Sequence, residues 1–578
     1  MSEEHLHTQE TQHAFLVAWG WFAEQIGLPR AIQNVPLRQK TYTHSPQTKV
    51  LELLVAILSG VEHLRDISHA AHPLDLDGAV AQAWGQPAWA DYSGVSRTLS
   101  GLSWAEVHAL VRAVEQVEQP LIQSELDLVR CRGERICYDG DLTGLPVSSS
   151  SRTYPRVAFG YMDDEIRLGY QAAVISLASP TYRRLWLAGT YHPGDTVSCT
   201  QAEALVLAAE ARTGLRPQRR TDLLHQRIQA FAQAMESTAQ RRTVQSNAVQ
   251  QGRARVEAAQ QQVAERQVRL SELEERYRQR QRRERPTSQL SRARHRLQAA
   301  ERRLHRRQVA LQAAEQRLAK TLALQQAQQA EVQRLQERLQ RFEQDNQTNP
   351  APIAAEFRLD AGFGTYENIA LLIEMGYEVY TKAHNSRLSA ALRTRSDLPC
   401  AWERVGANAE MAAWSALALA RSPYPLDVGL QRFYHGNQIE HSLLLHFGSD
   451  CVTANLPAWF AHYNGRQIIE AGIKESKQVF YLHRLKVRTE AAIYLQERLT
   501  LFAANFIRWA TPWLAGHADP QENTLDIRQI GVKRQVQVGA HVSAQVLTGS
   551  QDKVLRFSAC SAFAGKALAL RLQSQPFG

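Results

Sequence analysis

The chain has 578 residues, enough for more than one domain and for a large buried core. No stretch is apolar enough to span a membrane, residues 1–12 are polar without a secretory core, and six scattered cysteines without a Cys-x-x-Cys pair exclude a zinc knuckle or a disulfide framework, all of which fits a reduced cytosol. The net charge of +10, with a pI of about 9.3, favours an anionic partner.

Residues 11–134 read as helices. Leu28-Pro29-Arg30 closes one of them, and residues 50–64 form an apolar one. In Tyr92-Ser-Gly-Val-Ser-Arg97-Thr98, a serine cap precedes a short helix whose Arg97 and Thr98 suit groove or phosphate contact. Residues 135–143 read as a strand ending in acids. Asp139 and Asp141 lie two apart and therefore point to one side. Residues 170–178 and 182–189 follow as strands, so that three consecutive antiparallel strands are expected before a helix at 200–211. Asp163-Asp164 reads as the turn between two strands.

From 219 to 346 the chain is rich in Gln, Arg, Ala, Leu and Glu, the composition of long helix. Leu290, Leu297, Leu304, Leu311 and Leu318 recur every seventh residue. Ala293, Ala300 and Ala314 fall three residues after three of them, an a/d seam. Val249, Val256, Val263, Leu270, Leu273 and Tyr277 make a looser stripe in the first half. Pro286 breaks the segment near its middle, and Thr or Ser caps the second helix. Two arms of about 90 Å each, folded back on one another, are predicted. Arg276, Arg278, Arg280, Arg282, Arg283, Arg285, Arg292, Arg294 and Arg296 crowd the tip. They suit a clamp on DNA phosphates or a dimerisation arm; the few acids nearby favour DNA.

Residues 356–360 read as a buried strand ending in Asp360, followed by a glycine-containing loop, a helix (366–375) and a strand (377–381). Open α/β sheets place their chemistry at the carboxyl ends of such strands. Between 388 and 452, residues 428–434 and 440–447 read as strands joined by His435-Gly-Asn437. Residues 491–513 form an apolar helix, and 530–572 alternate like strands. Tyr463, Arg466, Glu470 and Lys477 fall on one face of a helix, a carboxylate flanked by two cations and a phenol. A metal ion held next to a phosphate uses that mixture, and a two-metal phosphoryl-transfer site needs further carboxylates, which Asp139 or Asp141 and Asp360 supply.

The pattern Tyr-x-x-Arg-x-x-x-Glu-x-x-x-x-x-x-Lys resembles the signature of DDE transposases of bacterial insertion sequences, in the insertion-sequence-four superfamily. The order of acids, on a first strand, on a later strand and on a helix, is similar to that of their ribonuclease-H-like core. The resemblance covers most of the chain outside the arm. It implies an α/β fold: a ribonuclease-H-like catalytic core, a mixed sheet flanked by helices, with a helical N-terminal domain and a long antiparallel coiled-coil hairpin insertion. The expected division is 1–130 helical and DNA-binding, 131–215 first core part, 216–348 hairpin, 349–387 second core part, 388–455 β-rich insertion, 456–515 third core part, and 516–578 strand-rich. An insertion ahead of the second Asp departs from the family, where insertions more often follow it.

The resemblance further implies that Asp141, Asp360 and Glu470 are catalytic and hold two Mg²⁺ ions, for which Mn²⁺ can substitute. The family's Asp-x-Thr context favours Asp141 with Thr143, and Asp139 is its competitor. Tyr463, Arg466 and Lys477 are implied to position phosphates, the region of Arg97 to bind terminal inverted repeats, and a tryptophan of the β insertion, Trp402 or Trp414, to stack on a flipped base. The implied partner is double-stranded DNA, both terminal repeats and target, bound by a homodimer in the bacterial cytoplasm at the nucleoid. The rival expectations are a catalytically inactive, transposase-derived architectural DNA-binding protein and a coiled-coil scaffold with a globular head.

Overall fold

The computed structural model describes residues 7–39, 43–150, 152–384, 386–394, 402–519, 525–549 and 552–571; Cys400 and Leu572 lie outside them. The fold is mixed α/β and separates into two compact units, Met1–Gln218 with Ala351–Gly578, and Arg219–Pro350.

The first unit opens with β1 (His7–Thr11) and seven helices: α1 (Ala14–Gln25), α2 (Leu28–Gln33), α3 (Pro46–Leu58), α4 (Asp66–His69), α5 (Gly78–Ala83), α6 (Tyr92–Ser100) and α7 (Trp104–Cys131). Local chemistry sets their ends. Ser45 caps α3 by accepting from Thr48 N–H with Pro46 in the first turn, and Ser103 and Glu106 close a capping box on α7. Two local expectations are corrected. Leu28-Pro29-Arg30 opens a helix rather than closing one, because Gly27 takes a left-handed φ of 72° and Pro29 is tolerated in the first turn of α2. The cap of α6 is Asp91, which accepts from Gly94 N–H, and no serine.

The central sheet follows. It comprises β2 (Ile136–Pro146), β3 (Ala158–Met162), β4 (Glu165–Ser179), β5 (Arg183–Pro193) and, after α8 (Ala202–Thr213) and the second unit, β6 (Ala355–Leu359), α11 (Tyr366–Glu374), β7 (Glu378–Lys382) and α12 (Ser386–Arg393). β8 (Glu403–Gly406), β9 (Ala409–Leu417), β10 (Leu426–His435) and β11 (Gln438–Phe447) complete it. The order is β3-β4-β2-β6-β7-β11-β10-β9-β8, with β5 on β4 beyond β3. β2, β6 and β7 run parallel; β4 is antiparallel to β2 and β5 to β4. The strands between 388 and 455 thus extend the main sheet through the antiparallel β7–β11 pair and form no separate one.

α13 (Leu456–Asn464), α14 (Gln467–Gln478) and the 27-residue α15 (Glu490–Gly516) come next. A Cβ on Gly140 of β2 would touch Leu359 and Leu205 of α8, so that side of β2 faces α8, and Asp139 and Asp141 face the other way, where α14 packs. The end of the unit is strand-rich, but the strand character expected from 530 begins later: Val532–Gln537 is helix α16, and among the described residues the strands here are β12 (Ala544–Thr548), β13 (Asp552–Phe557) and β14 (Ala567–Arg571). They form a second sheet with β1 in the order β1-β12-β13-β14, and Ala14 N–H donates to Val542 O, tying α1 to this piece.

The second unit is a hairpin of two 59-residue helices, α9 (Thr221–Gln279) and α10 (Gln289–Gln347), each about 90 Å long at 1.5 Å per residue. Pro286 lies in the connection, and Ser288 caps α10 by accepting from Ser291 N–H. Pairings of Arg227 with Glu331, Arg253 with Glu315 and Arg294 with Glu274 fix the antiparallel register. Leu270, Leu273, Leu290 and Leu297 form a core cluster near the tip, with Val263, Tyr277 and Ala293 against it. Among the described residues no helix is long and apolar enough to cross a membrane.

Candidate active site

β2 and β6 run parallel with Asp139 opposite Arg358 and Gly140 opposite Leu359. One residue beyond this last pair come Asp141 and Asp360, so the register brings the two acids side by side at the carboxyl ends of neighbouring strands. Asp360 accepts from Phe363 N–H at 3.3 Å, and its carbonyl accepts from Thr381 Oγ1. Leu142 N–H donates to Asp141 Oδ1 at 2.8 Å.

The third acid arrives on α14. The helix predicted to carry Tyr463 through Lys477 is broken: α13 ends at Asn464 and α14 begins at Gln467. Arg466 N–H bonds Tyr463 O and Ile468 N–H bonds Gly465 O, the tighter i→i+3 pattern of a 3₁₀ turn. Arg466 therefore sits at a helix break, with Tyr463 on one helix and Glu470 and Lys477 on the other. From there Nη2 of Arg466 lies 3.0 Å from Asp141 Oδ2, and Nη1 lies 2.6 Å from Glu470 Oε1.

Burial sets the electrostatics. Asp141 is 9 % and Arg466 6 % exposed, whereas the Glu470 side chain is 56 % exposed. Desolvation pushes the Asp141 carboxyl up to about 6; Arg466 opposes it, and repulsion from Asp360 and Glu470 adds to it. Burial works against the Arg466 charge, but Asp141, Tyr463, Asp360 and Glu470 outweigh it and hold the guanidinium above its ordinary pKa.

Asp139 belongs to a different arrangement. Arg358 donates to both its oxygens, Nε to Oδ1 at 2.7 Å and Nη2 to Oδ2 at 2.8 Å, and spends Nη1 on His462 O. Asp139 and Arg358 are 1 % and 5 % exposed. The pair pins β2 and β6 to the end of α13 and leaves Asp139 no open oxygen edge.

The remaining expected phosphate ligands are engaged within the protein. Tyr463 is buried, its hydroxyl donates to Leu359 O at 3.1 Å, and desolvation raises its pKa. In this structure its proton is held by the carbonyl just before Asp360. Lys477 Nζ lies 3.2 Å from Asp163 Oδ1. That turn, expected to be a mere connection, carries left-handed φ values at both Asp163 (50°) and Asp164 (66°). Arg184, which no sequence pattern singles out, donates to Ile468 O and Glu475 and so seats α14 on β5. Arg358, on β6 two residues before Asp360, was not singled out from the sequence; its period-two spacing to Asp360 is the signal that could have found it.

Other expected residues lie in separate parts of the structure. Arg97 is exposed on α6. Trp402 is half-buried with Arg432 stacked on its ring at 4.1 Å, and Arg432 is paired with Glu410; Trp414 is half-buried on β9. At the hairpin tip Arg282 and Arg283 are exposed, and among the described residues neither has a carboxylate partner; Arg278 and Arg294 do.

A cavity of about 1110 Å³ opens at the other end of the same strands, lined by Arg135, Cys137, Glu356, Tyr380 and His462 among others. It holds none of Asp141, Asp360 and Glu470. The carboxyl ends of the parallel strands remain the candidate site.

The donor set suits a hard divalent cation: carboxylate oxygens only. Its arrangement is not that of a metal cage. Among the described residues no group of three or more His, Cys, Asp or Glu is placed to hold a metal ion. The physical reason is visible in the geometry: the Arg466 guanidinium stands between Asp141 and Glu470, as a cation held by both. Arg466 is thus shared by Asp141 and Glu470, with Asp360 beside Asp141 at the end of the neighbouring strand. No family model matches the chain, and no curated protein matches it.

Proposed function

We propose that the chain is a DNA transposase with a ribonuclease-H-like core, which cuts at the terminal inverted repeats of its insertion sequence and joins the ends to target DNA. One observation carries the reading. Asp141 and Asp360 lie side by side at the ends of parallel strands, and Glu470, from a helix on the same face, shares one arginine with Asp141, although the three are far apart in sequence. The succession of β2, β4 and β5 as antiparallel neighbours, a helix, then β6 and β7 parallel to β2 supports the same core.

In this reading Asp141, Asp360 and Glu470 are the catalytic carboxylates and Mg²⁺, or Mn²⁺ in its place, is the cofactor. When bound, the ions supply an activated hydroxyl and a stabilised leaving oxygen for in-line displacement at phosphorus. The chain's own residues do the rest. Arg466 and Lys477 exchange their carboxylate partners for DNA phosphates, which suit a guanidinium fork and an ammonium. Tyr463 holds the Leu359 carbonyl and thereby the start of the Asp360 loop. The exposed arginines of the hairpin tip and Arg97 contact backbone phosphates, and Trp402 stacks on a flipped base. Two copies bring two ends together in the bacterial cytoplasm, at the nucleoid.

The second reading is a catalytically inactive, transposase-derived architectural DNA-binding protein. The arginine standing where a cation would be held favours it. Binding and cleavage of DNA carrying the terminal repeats separate the two. The transposase reading predicts Mg²⁺-dependent nicking at the repeat ends that Glu470→Gln abolishes while binding persists; the architectural reading predicts binding alone for both.

A further inference from the structure

The cavity of about 1110 Å³ at the amino ends of the parallel strands lies away from the three acids and has no part in the reaction proposed for them. Four arginines line it. Arg358 is spent on Asp139, and Arg135 donates to both oxygens of Asp450. Arg132, at the end of α7, and Arg183, at the start of β5, are exposed, and among the described residues neither has a carboxylate partner. Arg183 carries a left-handed φ of 64°, a conformation that favours glycine, so backbone preference does not account for an arginine there.

The lining acids do not offset these two cations. Glu356 is held by His462 at 2.7 Å and Asp450 by Arg135; among the described residues only the exposed Glu134 lacks a basic partner. Trp459 adds an unspent donor to the wall: it is 2 % exposed, and its indole N–H is buried with no hydrogen-bond partner. The amino end of α13 borders the cavity through Asn455 and Ala458 and brings the positive end of a helix dipole. Val452, Ala458 and Ile468 supply apolar wall.

Two unpaired guanidinium forks suit an oxyanion, and phosphate offers them more oxygens than a carboxylate does. The volume is far more than a lone ion fills and lies at the upper end of small-molecule sites, about 300–1,000 Å³. We propose that this cavity is a binding site for a small organic phosphate of nucleotide size. Its phosphate oxygens take Arg132 and Arg183, and its body lies along the apolar wall. The site is independent of what the three acids do. A phosphate at the end of a DNA strand carries the same chemistry, so the test separates that source from a free molecule.

Cys451 reports occupancy on the full chain, because it is exposed and lines the cavity, whereas Cys560 is exposed elsewhere. Alkylation of both by N-ethylmaleimide is followed by mass spectrometry, in chelator, with pyrophosphate, with ADP or with a long 5′-phosphorylated single strand. Calorimetry gives the affinities. ADP at about ten times its Kd should slow alkylation of Cys451 about tenfold and leave Cys560 unchanged. ADP should bind about tenfold more tightly than pyrophosphate through its apolar contacts. Arg132→Ala and Arg183→Ala should each weaken ADP about tenfold, the worth of a charge-assisted hydrogen bond, whereas Arg528→Ala, at an exposed arginine outside the cavity, should not. Should Arg183→Ala melt early, Arg183→Gly, which suits the left-handed backbone, decides by the same criterion. Unprotected Cys451 with both small probes overturns the proposal. So does equal ADP affinity in wild type and the arginine variants, or ADP no tighter than pyrophosphate. Protection by the DNA strand alone overturns it too and assigns the cavity to a strand end.

Discussion

Gly472 of α14 lies directly against the guanidinium of Arg184 on β5, so closely that a Cβ there would occupy the space of the guanidinium. Arg184 is 4 % exposed and holds Ile468 O and Glu475, so it cannot swing into solvent. Gly472→Ala must lift α14, and Glu470 rides on that helix. The expected cost is about 1–3 kcal/mol of stability, typical of overpacking. Metal-dependent cleavage should fall further than the stability loss accounts for. Thermal melting alongside cleavage checks it; an alanine variant with both unchanged contradicts the packing account.

Asp139 and Asp141 should part in mutagenesis. Asp139→Ala strands the buried guanidinium of Arg358, and breaking a buried pair from one side costs about 3–5 kcal/mol. Asp141→Asn removes a carboxylate that burial already disfavours and leaves Arg466 its pair with Glu470, so its cost stays below about 2 kcal/mol. Denaturant unfolding of both variants reads the difference directly. The reverse order would mean that Asp139 is the acid held open for chemistry.

A third test is of pH. Glu497 on α15 is 2 % exposed, both its carboxylate oxygens lack hydrogen-bond partners, and one of them faces Gly189. Burial pushes its pKa up to about 7, with Arg498 opposing. A carboxyl raised on folding favours the folded state while protonated; that contribution is full below the unfolded pKa and is lost as pH rises through about 7. Glu497→Gln should therefore be more stable than wild type by about 3 kcal/mol at about pH 8 and lose the advantage near pH 4. Melting curves at the two extremes suffice, and a pH-independent difference rules the account out.

The hairpin tip makes a separable prediction. Replacing Arg282 and Arg283 by alanine should weaken duplex DNA binding and reduce the salt slope by about 0.9 for each phosphate no longer neutralised. The Asp141–Arg466–Glu470 arrangement lies outside that unit and should keep its Mn²⁺ affinity. An unchanged salt slope would assign the tip arginines to something other than phosphate.

Much of this was legible in the sequence because it is local. The seven-residue leucine repeat marks the hairpin, and Pro286 marks its turn. The run into Asp141 and the run into Asp360 mark two strands by composition. The rest depends on tertiary contact. Gly465 inside a helical pattern is compatible with an unbroken helix, and only its closeness to Arg358 shows why the chain turns tightly there. Val532 and Val536 fit a helix as well as a strand, since a spacing of four satisfies both periods. The pairing of β7 with β11, which joins 388–455 to the main sheet, has no local signal. Lys477 reads from sequence as free to meet phosphate, and its contact with Asp163 crosses from a helix to a distant turn.

The most direct test is a cleavage assay on DNA bearing the element's own terminal repeats, with wild type and the single variants Asp141→Asn, Asp360→Asn and Glu470→Gln, in Mg²⁺ and after chelation. The account predicts nicking at the repeat ends by wild type in Mg²⁺ alone, and none by any variant, while all four proteins bind the DNA. Tight binding with no cleavage by wild type, or cleavage that survives the loss of any one of the three acids, would contradict it.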